Sequence, residues 1–415
     1  SKTGLRVGNE DFQSLFPVFY SHYDDQAFGS VQIGNGENAP VRNVVVSFHV
    51  PEYMSGPTVC AEIDRLETGE TRNIPITALF NERILSLTEQ TVTRGELRVS
   101  YRVLGARREV RRSVDLSVHH RNAMTWEDDR RAAAFVSAND PAVLWFSRFV
   151  TAVVRDRFRT GIDRNIQQAV GIFEAMKLFG LSYVVDPNSA YVAAAENAAV
   201  VDYLQYPHQT LFYRGGDCDD LSILYASLLQ SVGIRTAFIT IPGHIYMAFA
   251  TELSEEAARR DFYDQDLLII RNGVVWVPVE ITMVKDGFIK AWRVGAKGWK
   301  DNAAAGSAGF FPMVENWKEY PPVAVSDVNP RFLLPDEAAT MRAFDLAMDR
   351  RIAREIDPRI ARYRAGAAGL SAGEADNGIG LIYARVGMLN EAWNYFTQSA
   401  EAGFSPAWTN LANIA

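Results

Sequence analysis

From about residue 26 to 120 the apolar residues fall at every second position, so each segment can bury only one of its faces. Val44, Val46, Phe48 and Val50 alternate with polar or smaller partners, and Leu97, Val99, Tyr101 and Val103 alternate with Arg98, Ser100 and Arg102. Val114, Leu116 and Val118 repeat the pattern against Asp115 and Ser117. Period two is the strand period, and the intervening "GNGEN" (Gly34 to Asn38) and "ETGET" (Glu67 to Thr71) are turn material. Repeated half-buried strands favour an all-β sandwich over residues 1–125 rather than a parallel sheet. Cys60 falls within it.

The alternation stops near "NAMTWEDDRRAAAFVS" (Asn122 to Ser137), and helical patterns follow in "PAVLWFSRFVTAVVRDRF" and "NIQQAVGIFEAMKLFG". Two strand candidates, "RTAFITI" and "IYMAFA", flank "PGH" (Pro242 to His244). A hairpin is expected in "LLIIRNGVVWVPVE" (Leu267 to Glu280), with Asn272 and Gly273 as a type I′ turn. Residues 126–330 thus read as a mixed α+β domain, and "KDNAAAGSAG" (Lys300 to Gly309) as a mobile loop within it. Residues 331–415 read as helical. Their end carries Ile379, Gly380, Tyr383, Gly387, Ala392 and Phe396 at the spacings of a tetratricopeptide repeat, and Leu411 and Ala412 restart the pattern. A repeat and a fraction cannot bury its own faces, so the unit either packs on the middle domain or continues past Ala415.

The 415 residues exceed what one core usually supports, and 48% hydrophobic with 22% charged residues is ordinary globular composition. A net charge of −8 lacks the basic excess that binding to nucleic acid requires. No apolar run reaches the ~18 residues of a membrane span, and the start, "SKTGLRVGNE", has no apolar leader segment. Two cysteines, Cys60 and Cys218, make no disulfide framework, and no cysteine or histidine grouping has zinc spacing. Neither a metal nor a cofactor is expected.

Chemistry concentrates in "YRGGDCDDLSILYASLLQSVGI" (Tyr213 to Ile234). Leu221, Leu224, Tyr225, Leu228, Leu229 and Val232 recur at three- and four-residue intervals, predicting an amphipathic helix that ends at Gly233. Asp217 and Asp220 predict a short-armed capping box, entered through Gly215 and Gly216. Cys218 is then the first helical residue, where unpaired NH groups and the helix dipole favour a thiolate. Asp219 and Asp220 oppose this, so a cation is needed. The bland alternative is a buried cysteine that merely packs. Among the six histidines, His244 enters a strand from "PG", and Glu280 ends the apolar strand "VWVPVEITM", where a carboxylate is costly unless paired. Nucleophile, base and orienting acid would follow from these three, with Asp286 as a second choice of acid.

Cysteine at a helix start after "GD", histidine in a strand and an acid in the next strand make residues 168–290 resemble the transglutaminase-like superfamily, which includes bacterial papain-like cysteine peptidases. The motifs are "GDCDDLSILYASLLQSVGI", "PGHIYMAF" and "WVPVEIT", with "YPHQTL" upstream. The resemblance implies that Cys218 is the nucleophile, His244 the base and Glu280 the orienting acid, where the family more often has Asp. It also implies an oxyanion donor, Gln205 or Gln209, beside the Cys218 backbone NH. The flanking regions then read as an Ig-like sandwich and a tetratricopeptide-like repeat.

Thiol-dependent acyl transfer on a protein or peptide amide is the expected function, with hydrolysis preferred because water is always at hand. Transglutaminase cross-linking is the alternative outcome. A scaffold gripping protein partners through the sandwich and the repeat is the alternative of another class. A structural piece of a larger assembly is a third. The resemblance and the sandwich suggest an extracytoplasmic, bacterial setting, with any signal peptide or lipid anchor not visible in this chain. Trp276, Trp292 and Trp299 either wall an acyl pocket or pack in the core.

Overall fold

The structure, a computed structural model, describes residues 4–185, 190–194, 197–325 and 332–415. The chain forms two compact units, and each is built from three separate stretches. The first comprises Ser1–Phe135, Ala193–Gln205 and Val314–Val325, and the second Val136–Val192, Tyr206–Met313 and Ser326–Ala415.

In the first unit, strands β1 (Leu5–Phe12), β2 (Gly29–Asn35) and β5 (Thr71–Ile76) form an antiparallel sheet in the order β1-β2-β5. Strands β3 (Val41–His49), β4 (Thr58–Leu66), β6 (Thr91–Val103) and β7 (Ala106–Val118) form a second, in the order β4-β3-β6-β7. The period-two residues all point inward: Val44, Val46, Phe48, Leu97, Val99, Tyr101, Leu116 and Val118 are buried. Phe48 of the second sheet meets Phe12 of the first at 6.1 Å between ring centroids and Phe28 at 5.6 Å, so the two inner faces share one core. A short strand β8 (Ala123–Thr125) pairs antiparallel with β10 (Val201–Tyr203), which brings residues 197–205 into this unit.

The second unit holds an antiparallel five-stranded sheet, β14-β15-β13-β12-β16. Its strands are β12 (Thr236–Ile241), β13 (His244–Ala250), β14 (Ile269–Arg271), β15 (Val274–Val279) and β16 (Gly309–Pro312). The expected hairpin is β14-β15, with φ of 50° at Asn272 and 73° at Gly273, as a type I′ turn demands. A separate two-residue parallel pair joins β9 (Ser182–Tyr183) to β11 (Gly215–Gly216). The helices begin with α1 (Pro141–Val154), α2 (Arg164–Phe179), α3 (Ala190–Ala194), α4 (Pro207–Tyr213) and α5 (Cys218–Ser231). They continue with α6 (Glu255–Asp261), α7 (Phe288–Ala304), α8 (Met313–Asn316), α9 (Glu337–Gly366), α10 (Ala372–Arg385), α11 (Leu389–Glu401) and α12 (Pro406–Ile414). Among the described residues, no helix is long and apolar enough to cross a membrane.

Two expectations change. Helix α5 is not amphipathic, because every residue from Cys218 to Leu229 is buried between β13, α1 and α2. Its polar members are absorbed internally: Ser222 Oγ donates to the Cys218 carbonyl at 2.6 Å and Ser227 Oγ to that of Ile223 at 2.8 Å. The stretch Lys300 to Gly309 is not a loop throughout, since α7 runs on to Ala304 and the chain turns only afterwards, at Gly306. Alanine is the best helix former, and the Lys297–Asp301 pair and the Asn302 bond to the Gly298 carbonyl span the last turns.

The C-terminal helices pack through the small residues noted in the sequence. A Cβ on Gly380 of α10 would lie 2.6 Å from the Phe396 ring of α11, so glycine lets these helices close up. Ala392, Phe396, Ala400, Ala407 and Leu411 then form one cluster across α11 and α12. Helix α9 is held to the sheet side of its unit by a buried charge network. Arg351 pairs with Glu355 at 2.8 Å and lies over the rings of Phe262 and Trp292 at 4.7 and 5.0 Å, while Glu355 Oε2 accepts the Tyr263 NH at 2.7 Å. Removing one member strands a buried charge, so Glu355→Ala is expected to cost about 3 kcal/mol in urea unfolding. A cost near zero would show that α9 docks without this network.

Candidate active site

Three stretches of the second unit converge on one thiol. Gly215 and Gly216 pair with β9 and deliver Asp217, the N-cap of α5, whose carboxylate accepts the Asp220 NH at 3.3 Å. Asp220 answers by accepting the Asp217 NH at 3.4 Å, so the expected capping box is present and Cys218 is the first helical residue. Cys218 stands at a helix N-terminus and is 8% exposed.

His244 opens β13 directly after the turn at Pro242 and Gly243, in register with Ile241. Its Nε2 lies 2.6 Å from Glu280 Oε2. Cys218 acts on the same imidazole and helps to raise it. Burial works against the imidazolium, but the hydrogen bonds and charges of Cys218 and Glu280 outweigh it and push His244 up to about 10. The cation missing from the sequence argument is therefore this histidine.

Glu280 is buried where β15 ends, and neither carboxylate oxygen is idle. Oε2 holds His244, while Oε1 accepts the Thr282 hydroxyl at 2.6 Å and the Thr282 NH at 3.2 Å. A carboxylate with both oxygens engaged fixes the ring it touches and the tautomer it carries. Tyr246, two residues beyond His244 on the same face of β13, stacks on the imidazole at 5.8 Å and donates to the Gly295 carbonyl at 2.9 Å. The same glycine lets α7 approach, since a Cβ there would fall 2.9 Å from the Glu280 nitrogen.

The two further acids resolve differently. Asp220 is spent on the cap. Asp219 is fully buried, and desolvation raises its pKa well above the usual carboxylate range, helped by its hydrogen bond to Asp217 and the charges of Asp217, Asp220 and Cys218. The carboxylates of Asp217, Asp219 and Asp220 lie within 4.8 Å of one another, and two of them close the cap.

The site thus unites Cys218, His244, Glu280 and Asp217. Gln209 Oε1 accepts the Tyr206 NH at 2.8 Å and so caps α4, and Gln205 belongs to the first unit. Asp286 pairs with Lys290 at 2.6 Å instead of with the imidazole. Trp276 and Trp292 are buried in the core, and Trp299 packs against Phe310. Sequence reasoning missed Tyr246, which the strand period would have placed beside His244, and Thr282, two residues past the acid. It also missed Tyr183, brought alongside Gly216 by a parallel pairing too short to leave a pattern. Burial and the charges of Cys218, Asp217, Glu280 and Asp219 raise the Tyr183 phenol. Comparison with protein-family models, curated proteins and solved structures gives no match.

Two outcomes follow from this geometry. Glu280→Gln keeps the shape but removes the charge that holds the imidazolium, and is expected to slow alkylation of Cys218 at pH 7 by at least about tenfold. An unchanged rate would exclude Glu280 as the orienting acid. For Asp219, a folded-state value above the unfolded ~3.9 means that the native chain binds the extra proton, so stability falls as pH rises between the two values. Asp219→Asn, which stays neutral, is expected to gain stability on the wild type as pH rises above about 4, and then to hold a constant difference. A difference independent of pH in urea titrations would show that Asp219 is not the proton carrier.

Proposed function

We propose that this chain performs thiol-dependent acyl transfer on a protein or peptide amide, with hydrolysis as the outcome. The observation that carries the proposal is the 2.6 Å bond from Glu280 to His244, an imidazole that Cys218, the first residue of a helix, also helps to raise. Nucleophile, base and orienter with these roles recur on unrelated folds, so the geometry argues for the chemistry independently of the resemblance to transglutaminase-like proteins.

In the first half-reaction the Cys218 sulfur attacks the amide carbonyl carbon and an S–C bond forms. The oxyanion is met by the Cys218 backbone NH, which α5 leaves without an intrahelical partner. Collapse breaks the C–N bond, and the leaving amine takes its proton from His244. In the second half-reaction water gives a proton to His244 and its oxygen to the thioester carbon, which releases the acid and restores the thiolate and imidazolium. Glu280 keeps the ring oriented throughout. Cross-linking would replace that water with an amine. On this reading the second unit apart from its C-terminal helices is a papain-like catalytic domain, and the Ig-like sandwich and the tetratricopeptide-like helices serve to hold substrates.

The test is iodoacetamide alkylation in a Cys60→Ala background, which leaves Cys218 as the single thiol. At pH 7 the rate is expected to exceed that of free cysteine by at least about tenfold and to lose that excess in His244→Ala. A rate equal to free cysteine and indifferent to His244 would remove the catalytic reading. Incubation with casein and a labelled primary amine then separates the outcomes, new peptide termini marking hydrolysis and incorporated amine marking transfer.

A further inference from the structure

Helices α7 and α9 and the segment at 263–267 line a cavity of about 850 Å³, within the range of about 300 to 1,000 Å³ typical of organic-ligand sites. Arg351 of α9 stands in its wall and is 8% exposed. Its Nη1 lies 2.8 Å from Glu355 Oε1, out of line for a hydrogen bond and with no other acceptor. Glu355 is in demand elsewhere, since its Oε2 accepts the Tyr263 NH at 2.7 Å and meets Arg359 Nη2 at 3.4 Å. Two guanidinium groups thus share one carboxylate, and burial works against the charged form of Arg351. A buried cation held in this way is stabilised by a further anion.

Other charges of the wall add to this one. Arg354 follows Arg351 by three residues on α9, where such positions are neighbours, and Arg351 lies over the ring of Trp292, the residue before Arg293 of α7, at 5.0 Å. Arg293 and Arg354 are exposed in the wall, and neither makes an ion pair or a hydrogen bond among the described residues. Arg350, four residues before Arg354, repels it, though its charge also acts on the buried Glu174. Four acids stand against these arginines. Asp286 pairs with Lys290 at 2.6 Å, Glu355 is shared between two arginines, and Asp264 accepts the Asp266 NH at 3.0 Å as a helix cap. Asp357 is the one acid of the wall without such a commitment among the described residues. Leu267, Ile289 and Pro358 give the cavity a half-buried apolar flank.

We infer that this cavity binds a phosphate monoester on an apolar or aromatic body, with the phosphate held by Arg351, Arg354 and Arg293 and the body against Leu267, Ile289 and Pro358. A phosphate monoester brings three terminal oxygens and nearly two negative charges, which suits several guanidinium forks, whereas a carboxylate fills only one. The cavity takes no part in the chemistry proposed at Cys218, so either can fail without the other.

Calorimetric titration of the full chain with phenyl phosphate, inorganic phosphate, phenylacetate and phenol tests the site. Phenyl phosphate is expected to bind at least about tenfold more tightly than each of the other three. Arg293→Gln and Arg354→Gln are each expected to weaken it by at least about tenfold. Arg362→Gln removes the same charge from an exposed position of α9 outside the cavity and is expected to leave binding unchanged. Both cavity variants change exposed side chains, so the fold is expected to survive them, and two independent variants guard against one that misfolds. Phenylacetate or inorganic phosphate binding as tightly as phenyl phosphate overturns the assigned ligand. Phenyl phosphate binding no better than phenol, unchanged in both cavity variants, or weakened equally in all three variants overturns the site.

Discussion

The bond from Glu280 to His244, 2.6 Å long and largely removed from water, is the constraint on which the site depends. A carboxylate at the end of an apolar strand is expensive to bury, and its cost is offset only if both oxygens are used. Here one oxygen takes the imidazole and the other takes the Thr282 hydroxyl and NH. The carboxylate thereby becomes rigid, and through it the ring. His244 stays cationic to about 10, which supplies Cys218 with a fixed positive neighbour at neutral pH. Helix dipoles contribute tenths of a kcal/mol to about 2 kcal/mol, so the imidazolium is the stronger partner of the sulfur.

The acids around the helix start look at first like an error in such a site. Two of them are structural, and burial works against the charged form of the third. Asp217 and Asp220 close the capping box, which fixes where α5 begins and so where the sulfur stands. Asp219 is buried, and desolvation together with Asp217, Asp220 and Cys218 raises its carboxyl well above the usual range. Of the three adjacent carboxyl groups, two thus fix where α5 begins and the third is disfavoured in its charged form by burial.

Much of this was legible in the sequence because it is local. The strand alternation, the capping box, the Asn272-Gly273 turn and the order of thiol, imidazole and acid all depend on spacings of a few residues. What the sequence hid depends on distant partners. The buried outer face of α5 exists only because α1, α2 and β13 enclose it, and three- and four-residue spacing cannot tell one buried stripe from burial all round. Residues 193–205 and 314–325 join the first unit although they lie far along the chain, and no compositional break marks them. Tyr183 reaches the site through a two-residue parallel pair, far below the length at which periodicity can be read. The stretch Lys300 to Gly309 reads as a mobile loop, yet its alanines at 303 and 304 are good helix formers and close α7.

Helix α7 shows how the fold carries precision to the chemistry. It begins eight residues after Glu280 and returns along β15, where Glu280 NH donates to the Ala291 carbonyl at 3.0 Å. One turn further, Gly295 has no side chain, and the backbone of Pro278 and Glu280 approaches within about 3 Å of where one would begin. The carbonyl of that glycine receives the hydroxyl of Tyr246, the ring that stacks on His244. His244 and Glu280 are thus referred to the same helix, one by a stacked ring and the other by its own backbone. Any shift of α7 moves both together, so their separation is preserved even where their position relative to the sulfur is not. The alignment of Cys218 with the pair then rests on a second contact, the packing of α5 on β13, and the site is as rigid as the seam between those two elements.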